Sequence, residues 1–137
     1  MSQLSRKMIL IVEDEEKIAN LIAAQLEMVG YEVHTEGQGR PALEYAAEHR
    51  PDLVVLDLRL PDIDGYTVCK ELRRLYHSWS VPVVMVTGLD QPIDQVRGFA
   101  HGADAYMTKP FDLGELVEVI TTLLDHWGGP TIMPDLN

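Results

Sequence analysis

The stretch PDLVVLDLRLPDIDG, residues 51–65, contains the apolar run that decides the fold of this chain. Residues 53–56 are all apolar, so the strand that they predict is buried on both faces. A strand of this kind is typical of the centre of a parallel sheet that carries helices on both sides. Asp57 follows the run directly. The sequence therefore predicts a carboxylate at the end of a buried strand.

Four further runs have the length and the β-branched composition of strands, and they cover residues 7–12, 31–35, 81–86 and 104–108. Segments with the apolar spacing of amphipathic helices separate the runs, and one more follows the last of them. Strands that alternate with helices pair in parallel through right-handed crossovers, with helices on both faces of the sheet. We therefore predict an α/β fold, a doubly wound (βα)5 three-layer sandwich around a five-stranded parallel sheet.

Residues that favour helix ends support these boundaries. Gly30 and Gly102 follow predicted helices at the position where a left-handed glycine ends a helix. Asp112 is the predicted N-cap of the last helix. We expect Asp62 and Asp64 to end the loop after the third strand and to cap the third helix.

The chain has 137 residues, which is an ordinary size for one domain with its own core. We assign residues 1–6 to an N-terminal lead, 7–126 to the domain, and 127–137 to a tail or the start of a linker. No apolar run has the length of a membrane span, and the N-terminus lacks the long apolar segment of a signal peptide. The single cysteine, Cys69, cannot form an intramolecular disulfide. We therefore expect a cytoplasmic protein that has no membrane partner.

The charge balance is strongly acidic. The chain has 11 Lys and Arg against 22 Asp and Glu, which gives a formal net charge of −11 at pH 7. A domain that binds nucleic acid needs clustered Lys and Arg to replace the counterions of the phosphates. The composition therefore argues against direct contact with nucleic acid.

Polar side chains follow four of the five predicted strands, at the point where each strand ends. Glu13 and Asp14 come after the first strand, Asp57 after the third, Thr87 after the fourth and Lys109 after the fifth. In open doubly wound sheets, ligands bind outside the carboxyl ends of the strands. If the strands have the flavodoxin-like order 2-1-3-4-5, we expect all five side chains to meet at one edge of the sheet.

Three carboxylates at one edge repel one another, and at least one takes up a proton unless a cation compensates the charge. Mg²⁺ fits best, because it binds through one or two carboxylates, keeps several waters and accepts phosphate oxygens. Such a site favours phosphoryl transfer, which needs an oxygen nucleophile, a metal and donors for the other phosphoryl oxygens. Asp57, Mg²⁺, Lys109 and Thr87 would fill these roles.

With these residues in this order, the sequence resembles the response-regulator receiver domains of two-component signalling. The resemblance lies in the acidic pair Glu13 and Asp14, in VVLDLRLPDIDG around Asp57, in VMVTG, which contains Thr87, and in DAYMTKPF, which contains Lys109. It covers nearly the whole chain.

The resemblance implies roles for the acidic residues. Asp57 would be the phosphoacceptor. Glu13, Asp14 and Asp57, together with the backbone carbonyl of Arg59, would hold Mg²⁺ or Mn²⁺. A histidine kinase or a histidine phosphotransfer protein would supply the phosphoryl group.

The resemblance also implies how the signal is passed on. Lys109 would pair with the phosphoryl group, and the bond between Lys109 and Pro110 would be cis. Thr87 and Tyr106 would be a switch pair whose rearrangement shifts the face made by the fourth helix, the fifth strand and the fifth helix. An output domain or a downstream protein would read that shift.

Two other classes of function stay open. A phosphatase of the haloacid dehalogenase type also uses a strand-end aspartate and Mg²⁺, but it needs a second acid two residues later, where this chain has Arg59. A receiver-like module that works without phosphorylation usually loses the aspartate, the acids or the lysine, and this chain keeps all of them. A calcium loop around Asp62 and Asp64 is disfavoured because its first ligand position would be Leu60. We therefore predict a signalling switch and not an enzyme that turns over a substrate.

Overall fold

The computed structural model of the chain describes residues 6–75 and 81–126, and the statements below concern these residues. The elements in chain order are β1 (Met8–Val12), α1 (Glu16–Val29), β2 (Glu32–Glu36), α2 (Gly39–His49), β3 (Leu53–Leu56), α3 (Gly65–Leu75), β4 (Val83–Thr87), α4 (Pro92–Ala100), β5 (Ala105–Thr108) and α5 (Leu113–His126). The predicted tail 127–137 and the first five residues of the predicted lead lie outside the described residues. No helix in the described ranges has the length and apolar character needed to cross a membrane.

The five strands form one parallel sheet in the order β2-β1-β3-β4-β5. Val12 at the end of β1 lies opposite Leu56 at the end of β3, and Thr87 at the end of β4 lies opposite Thr108 at the end of β5. The predicted doubly wound fold and strand order are confirmed. Residues that follow β1, β3 and β5 therefore share one edge of the sheet.

Two hydrophobic cores lie on opposite faces of the sheet, because successive side chains of a strand point to opposite sides. Leu10 and Val12 of β1 belong to the core that α2 and α3 cover. Ile9 and Ile11 belong to the core that α1 and α5 cover. This arrangement gives the three layers that the alternation of strands and helices predicts.

Several predicted helix ends are confirmed. Gly30 and Gly102 have φ angles of 115° and 107°, which lie in the left-handed region that favours glycine. The side chain of Asp112 accepts a hydrogen bond from the backbone N–H of Glu115 at 3.0 Å, as an N-cap does.

The prediction for the two caps after β3 is half wrong. Asp64 accepts a backbone N–H of the first turn of α3 at 2.9 Å, as expected. Asp62 instead caps α2, where it accepts the N–H groups of Gly39 at 2.7 Å and Arg40 at 2.8 Å. The reason is spatial, because α2 and α3 cover the same face of the sheet and Gln38 at the start of α2 supplies no side-chain cap.

Gly65, the first residue of α3, allows this helix to approach the end of β3. A Cβ atom at Gly65 would lie 2.6 Å from the carbonyl oxygen of Asp57 and 2.6 Å from the Cα of Leu58. The N–H of Gly65 donates to the carbonyl of Leu58 at 2.8 Å. The atoms in the way belong to the backbone, so a larger residue would have to displace the segment that carries Asp57.

We expect Gly65→Ala to lower the free energy of unfolding by about 1–3 kcal/mol, the usual range for overpacking a well-packed site. Urea denaturation at equilibrium measures this change. Gly88→Ala is the matched control, because a Cβ at Gly88 meets no atom within 4 Å, and its effect should stay within about 0.5 kcal/mol. Equal destabilisation by the two variants would contradict the steric explanation.

Candidate functional site

The end of β1 places two acids at the carboxyl edge of the sheet. The N–H of Glu13 donates to the carbonyl of Glu36 at 3.0 Å, so the pairing of β1 with β2 continues for one residue. The Glu13 side chain points into the protein, and the residue is only 4% exposed. Asp14 is exposed. One of these neighbouring carboxylates is therefore buried and the other faces solvent.

Asp57 lies beside Glu13 at the end of β3. Its N–H donates to the carbonyl of Val12 at 2.9 Å, which keeps the residue in the sheet. The residue is 5% exposed. Its Oδ1 accepts the backbone N–H of Arg59 at 3.2 Å, while Oδ2 turns towards Lys109. Strand pairing and these two side-chain bonds fix the position of the carboxylate.

Lys109 enters the site from the end of β5. Its N–H donates to the carbonyl of Thr87 at 2.8 Å, and its peptide bond to Pro110 is cis, as the resemblance implies. The Nζ atom lies 2.9 Å from Oε1 of Glu13 and 3.1 Å from Oδ2 of Asp57. The ammonium therefore lies between the two buried carboxylates.

The three acids form a set that is suitable for a cation. One carboxylate oxygen each of Glu13, Asp14 and Asp57 lies within 4.8 Å of the others. Within residues 6–75 and 81–126, no other group of three or more His, Cys, Asp or Glu side chains meets this criterion. A donor set made of oxygen alone suits a hard divalent cation such as Mg²⁺, and the exposed Asp14 leaves the site open to the waters that this ion keeps.

The electrostatics agree with a site that is short of positive charge. Burial raises the pKa of Glu13 to about 7, the nearby charge of Asp57 adds to this rise, and the hydrogen bonds from Lys109 and from the N–H of Glu15 only partly offset it. Burial disfavours the charged form of Lys109, but hydrogen bonds to Glu15, Glu13 and Asp57 outweigh this effect and raise the pKa of the ammonium. Lys109 is therefore charged, while Glu13 titrates close to neutral pH.

Thr87 and Tyr106 both contact the backbone of Leu89. Thr87 is fully buried, and its hydroxyl accepts the N–H of Leu89 at 3.4 Å. The hydroxyl of Tyr106 donates to the carbonyl of Leu89 at 2.7 Å. Burial raises the pKa of Tyr106 to about 12, so the phenol is neutral. The structure therefore joins Thr87 and Tyr106 through one loop residue.

The structure brings Glu13, Asp14, Asp57 and Lys109 together, as the strand order predicts. Glu15 was not predicted as a site residue, and its Oε1 lies 2.9 Å from Nζ of Lys109. The available signal was the run EDEE, residues 13–16, but four adjacent acids do not reveal which of them turn towards the sheet edge. The backbone of Arg59 contacts Asp57 through its N–H, and the role of its carbonyl stays a prediction.

Comparison with known proteins identifies relatives over most of the chain. The family model of the response regulator receiver domain matches residues 9–121. The transcriptional regulator RpaA of Synechocystis is 44% identical over 116 residues, which are 85% of this chain and 48% of RpaA. The regulatory protein PhoP of Bacillus subtilis is 44% identical over 118 residues, which are 86% of this chain and 48% of PhoP. The chain thus spans about half the length of these curated relatives.

Solved structures lead to the same family. The CheY-like receiver domain protein of Methanospirillum hungatei has a TM-score of 0.82 and 32% identity, and the match covers 88% of this chain and 95% of that protein. The BeF3-activated N-terminal receiver domain of Klebsiella pneumoniae RstA has a TM-score of 0.79 and 35% identity, with 86% and 98% covered. The span of the family model, residues 9–121, includes Glu13, Asp14, Asp57 and Lys109. The chain belongs to the response regulator receiver domain family.

Proposed function

We propose that Asp57 accepts a phosphoryl group and that this modification switches the chain between two signalling states. The observation that carries the proposal is the buried Asp57 carboxylate, which contacts Lys109 and lies in one cluster with Glu13 and Asp14. Receiver domains of response regulators are phosphorylation-activated switches of two-component systems, and histidine kinases supply their phosphoryl groups. The donor here would be a histidine kinase or a histidine phosphotransfer protein.

The transfer is a displacement at phosphorus. A carboxylate oxygen of Asp57 attacks the phosphorus of a phosphohistidine, and a P–O bond forms as the P–N bond breaks. The imidazole nitrogen keeps the electron pair of the broken bond and takes a proton from solvent. Lys109 donates a hydrogen bond to a phosphoryl oxygen, and the hydroxyl of Thr87 donates to another.

Glu13, Asp14 and Asp57, with the backbone carbonyl of Arg59, would hold Mg²⁺ or Mn²⁺. When bound, the ion would neutralise part of the phosphoryl charge. Support comes from the oxygen-only donor set and from the N–H of Arg59, which keeps this backbone beside Asp57. Deprotonated Glu13 completes the set, so metal binding and loss of its proton are coupled.

Thr87 and Tyr106 would transmit the modification to α4, β5 and α5. When the Thr87 hydroxyl turns to the phosphoryl group, the N–H of Leu89 loses its acceptor and the loop after β4 is free to move. The carbonyl of the same residue holds the hydroxyl of Tyr106, so the aromatic side chain responds to the same movement. A partner that binds this face distinguishes the two states.

We also propose the domain boundaries, the cellular compartment and the partners of the protein. Residues 7–126 form the receiver, 1–6 a lead, and 127–137 a tail or linker. The protein acts in the cytoplasm, has no membrane partner and does not bind nucleic acid through the receiver. An output domain or a downstream protein reads the switch. The receiver catalyses only its own phosphorylation and dephosphorylation, and it does not turn over a substrate.

We expect incubation with acetyl phosphate and Mg²⁺ to add one phosphoryl group to the wild-type chain and none to Asp57→Asn, because the amide is not a nucleophile. Intact-mass spectrometry measures the addition, and a chelator should abolish it. Asp64→Asn is the matched control, since Asp64 lies in the same loop but serves as a helix cap, and it should be modified like the wild type. Addition of a phosphoryl group to Asp57→Asn, or addition that persists in the presence of the chelator, would contradict the proposal.

We expect Mg²⁺ affinity to rise about tenfold between pH 6 and pH 8. The Glu13 carboxyl, with a pKa of about 7, is mostly protonated at the lower pH and must lose its proton to bind a metal. Calorimetric titration in two buffers of different ionisation enthalpy counts the protons released. In Glu13→Gln the release and the pH dependence should both disappear. A proton count near zero for the wild type at pH 6 would contradict the role of Glu13.

The phosphatase alternative makes a separate prediction. Haloacid dehalogenase chemistry needs an acid two residues after the nucleophile, and Arg59 is exposed at that position. We therefore expect no steady turnover of p-nitrophenyl phosphate in the presence of Mg²⁺. The absorbance of the released p-nitrophenolate measures the turnover. A turnover rate that is present in the wild type and lost in Asp57→Asn would favour the hydrolase.

A further inference from the structure

The ammonium of Lys109 has three N–H donors and three carboxylate partners. Its Nζ lies 2.9 Å from Oε1 of Glu13, 3.1 Å from Oδ2 of Asp57 and 2.9 Å from Oε1 of Glu15. A lysine ammonium has no fourth donor. A phosphoryl oxygen on Asp57 therefore receives a hydrogen bond from Lys109 only if one of these carboxylates gives up its own.

The three carboxylates differ in what they lose when Lys109 turns away. The Glu13 side chain is 3% exposed and would keep only the N–H of Glu15 as a donor, which is costly for a buried charge. Asp57 is itself the residue that carries the phosphoryl group. The Glu15 side chain is 58% exposed, so water replaces Lys109 at little cost. Glu15 is therefore the partner that is most easily displaced.

We propose that Glu15 is a positioning residue that competes with the phosphoryl group for the third N–H of Lys109. The inference rests on the proposed function, because it needs Asp57 as phosphoacceptor and Lys109 as the cation that binds the phosphoryl oxygen. Before transfer, Glu15 holds the ammonium next to Asp57. When the donor enters, Glu15 has to leave, and its charge opposes the anionic donor at the same ammonium. Donor binding is weakened more than the chemical step is slowed.

Glu15→Gln tests this competition, since it removes the charge and keeps the size. Glu15 is at the N-cap position of α1 but makes no side-chain cap bond, so the substitution removes no cap hydrogen bond. The initial rate of Asp57 phosphorylation is measured against acetyl phosphate concentration at saturating Mg²⁺. We expect the half-saturating concentration to fall about two- to fivefold, as for loss of one exposed ion pair, with the maximal rate little changed. Added salt should reduce the difference in half-saturating concentration between the wild type and Glu15→Gln, because salt screens the charge of an exposed carboxylate.

Two further variants sharpen the result. Glu15→Ala removes the acceptor as well as the charge, and it should lower the half-saturating concentration at least as far as Glu15→Gln. Glu16→Gln makes the same change in net charge one residue later, at an exposed position at the start of α1, and it should behave like the wild type.

Three results would overturn the inference. An unchanged or raised half-saturating concentration in Glu15→Gln would show that Glu15 does not compete with the phosphoryl group. Equal shifts in Glu15→Gln and Glu16→Gln would show that the effect comes from net charge alone. A wild-type chain that is not phosphorylated on Asp57 fails the proposed function and this inference with it. A phosphorylated wild type with unchanged Glu15 variants fails the inference alone, so the two failures are distinct.

Discussion

The structure of the site depends on the ion cluster in which the Lys109 ammonium contacts the carboxylates of Glu13, Asp57 and Glu15. Glu13 and Asp57 are both buried, and two buried anions side by side are unfavourable without a cation. One ammonium does not balance these carboxylates and the adjacent Asp14. Burial raises the pKa of Glu13 and the nearby charge of Asp57 adds to the rise, so a proton can occupy this carboxylate. A divalent cation relieves the same shortage more completely.

The fold brings these charges together from distant parts of the chain. Val12 and Leu56 are paired at the ends of neighbouring strands, so the next residues, Glu13 and Asp57, are neighbours as well. Lys109 follows β5, which is two strands from β3, or about 10 Å at the usual strand spacing. Only a long side chain crosses that gap. Gly65 adds a second constraint, because a larger residue there would displace the backbone segment that carries Asp57.

The sequence was sufficient for the fold and for four of the site residues, because both follow from periodicity and from where strands end. Apolar runs gave the strands, and the strand order turned Glu13, Asp57 and Lys109 into neighbours. Two features could not be predicted in this way. Asp62 caps α2, which depends on how α2 and α3 pack, and Glu15 contacts Lys109, which depends on side-chain direction in an acidic run. Both are contacts across the fold that leave no periodic pattern.

In the proposed switch, the link from the site to the surface would run through the backbone of one residue and then through one aromatic ring. The carbonyl of Leu89 accepts a hydrogen bond from the hydroxyl of Tyr106, and the N–H of Leu89 donates to the hydroxyl of Thr87. The Tyr106 ring lies so close to Gly98 that a Cβ there would be 2.7 Å from it, and Gly98 is the one buried residue of α4. A helix anchored by so little buried surface shifts at low free-energy cost. In the proposed switch, a change in the hydrogen bonds of Leu89 would therefore reach α4 through the ring of Tyr106.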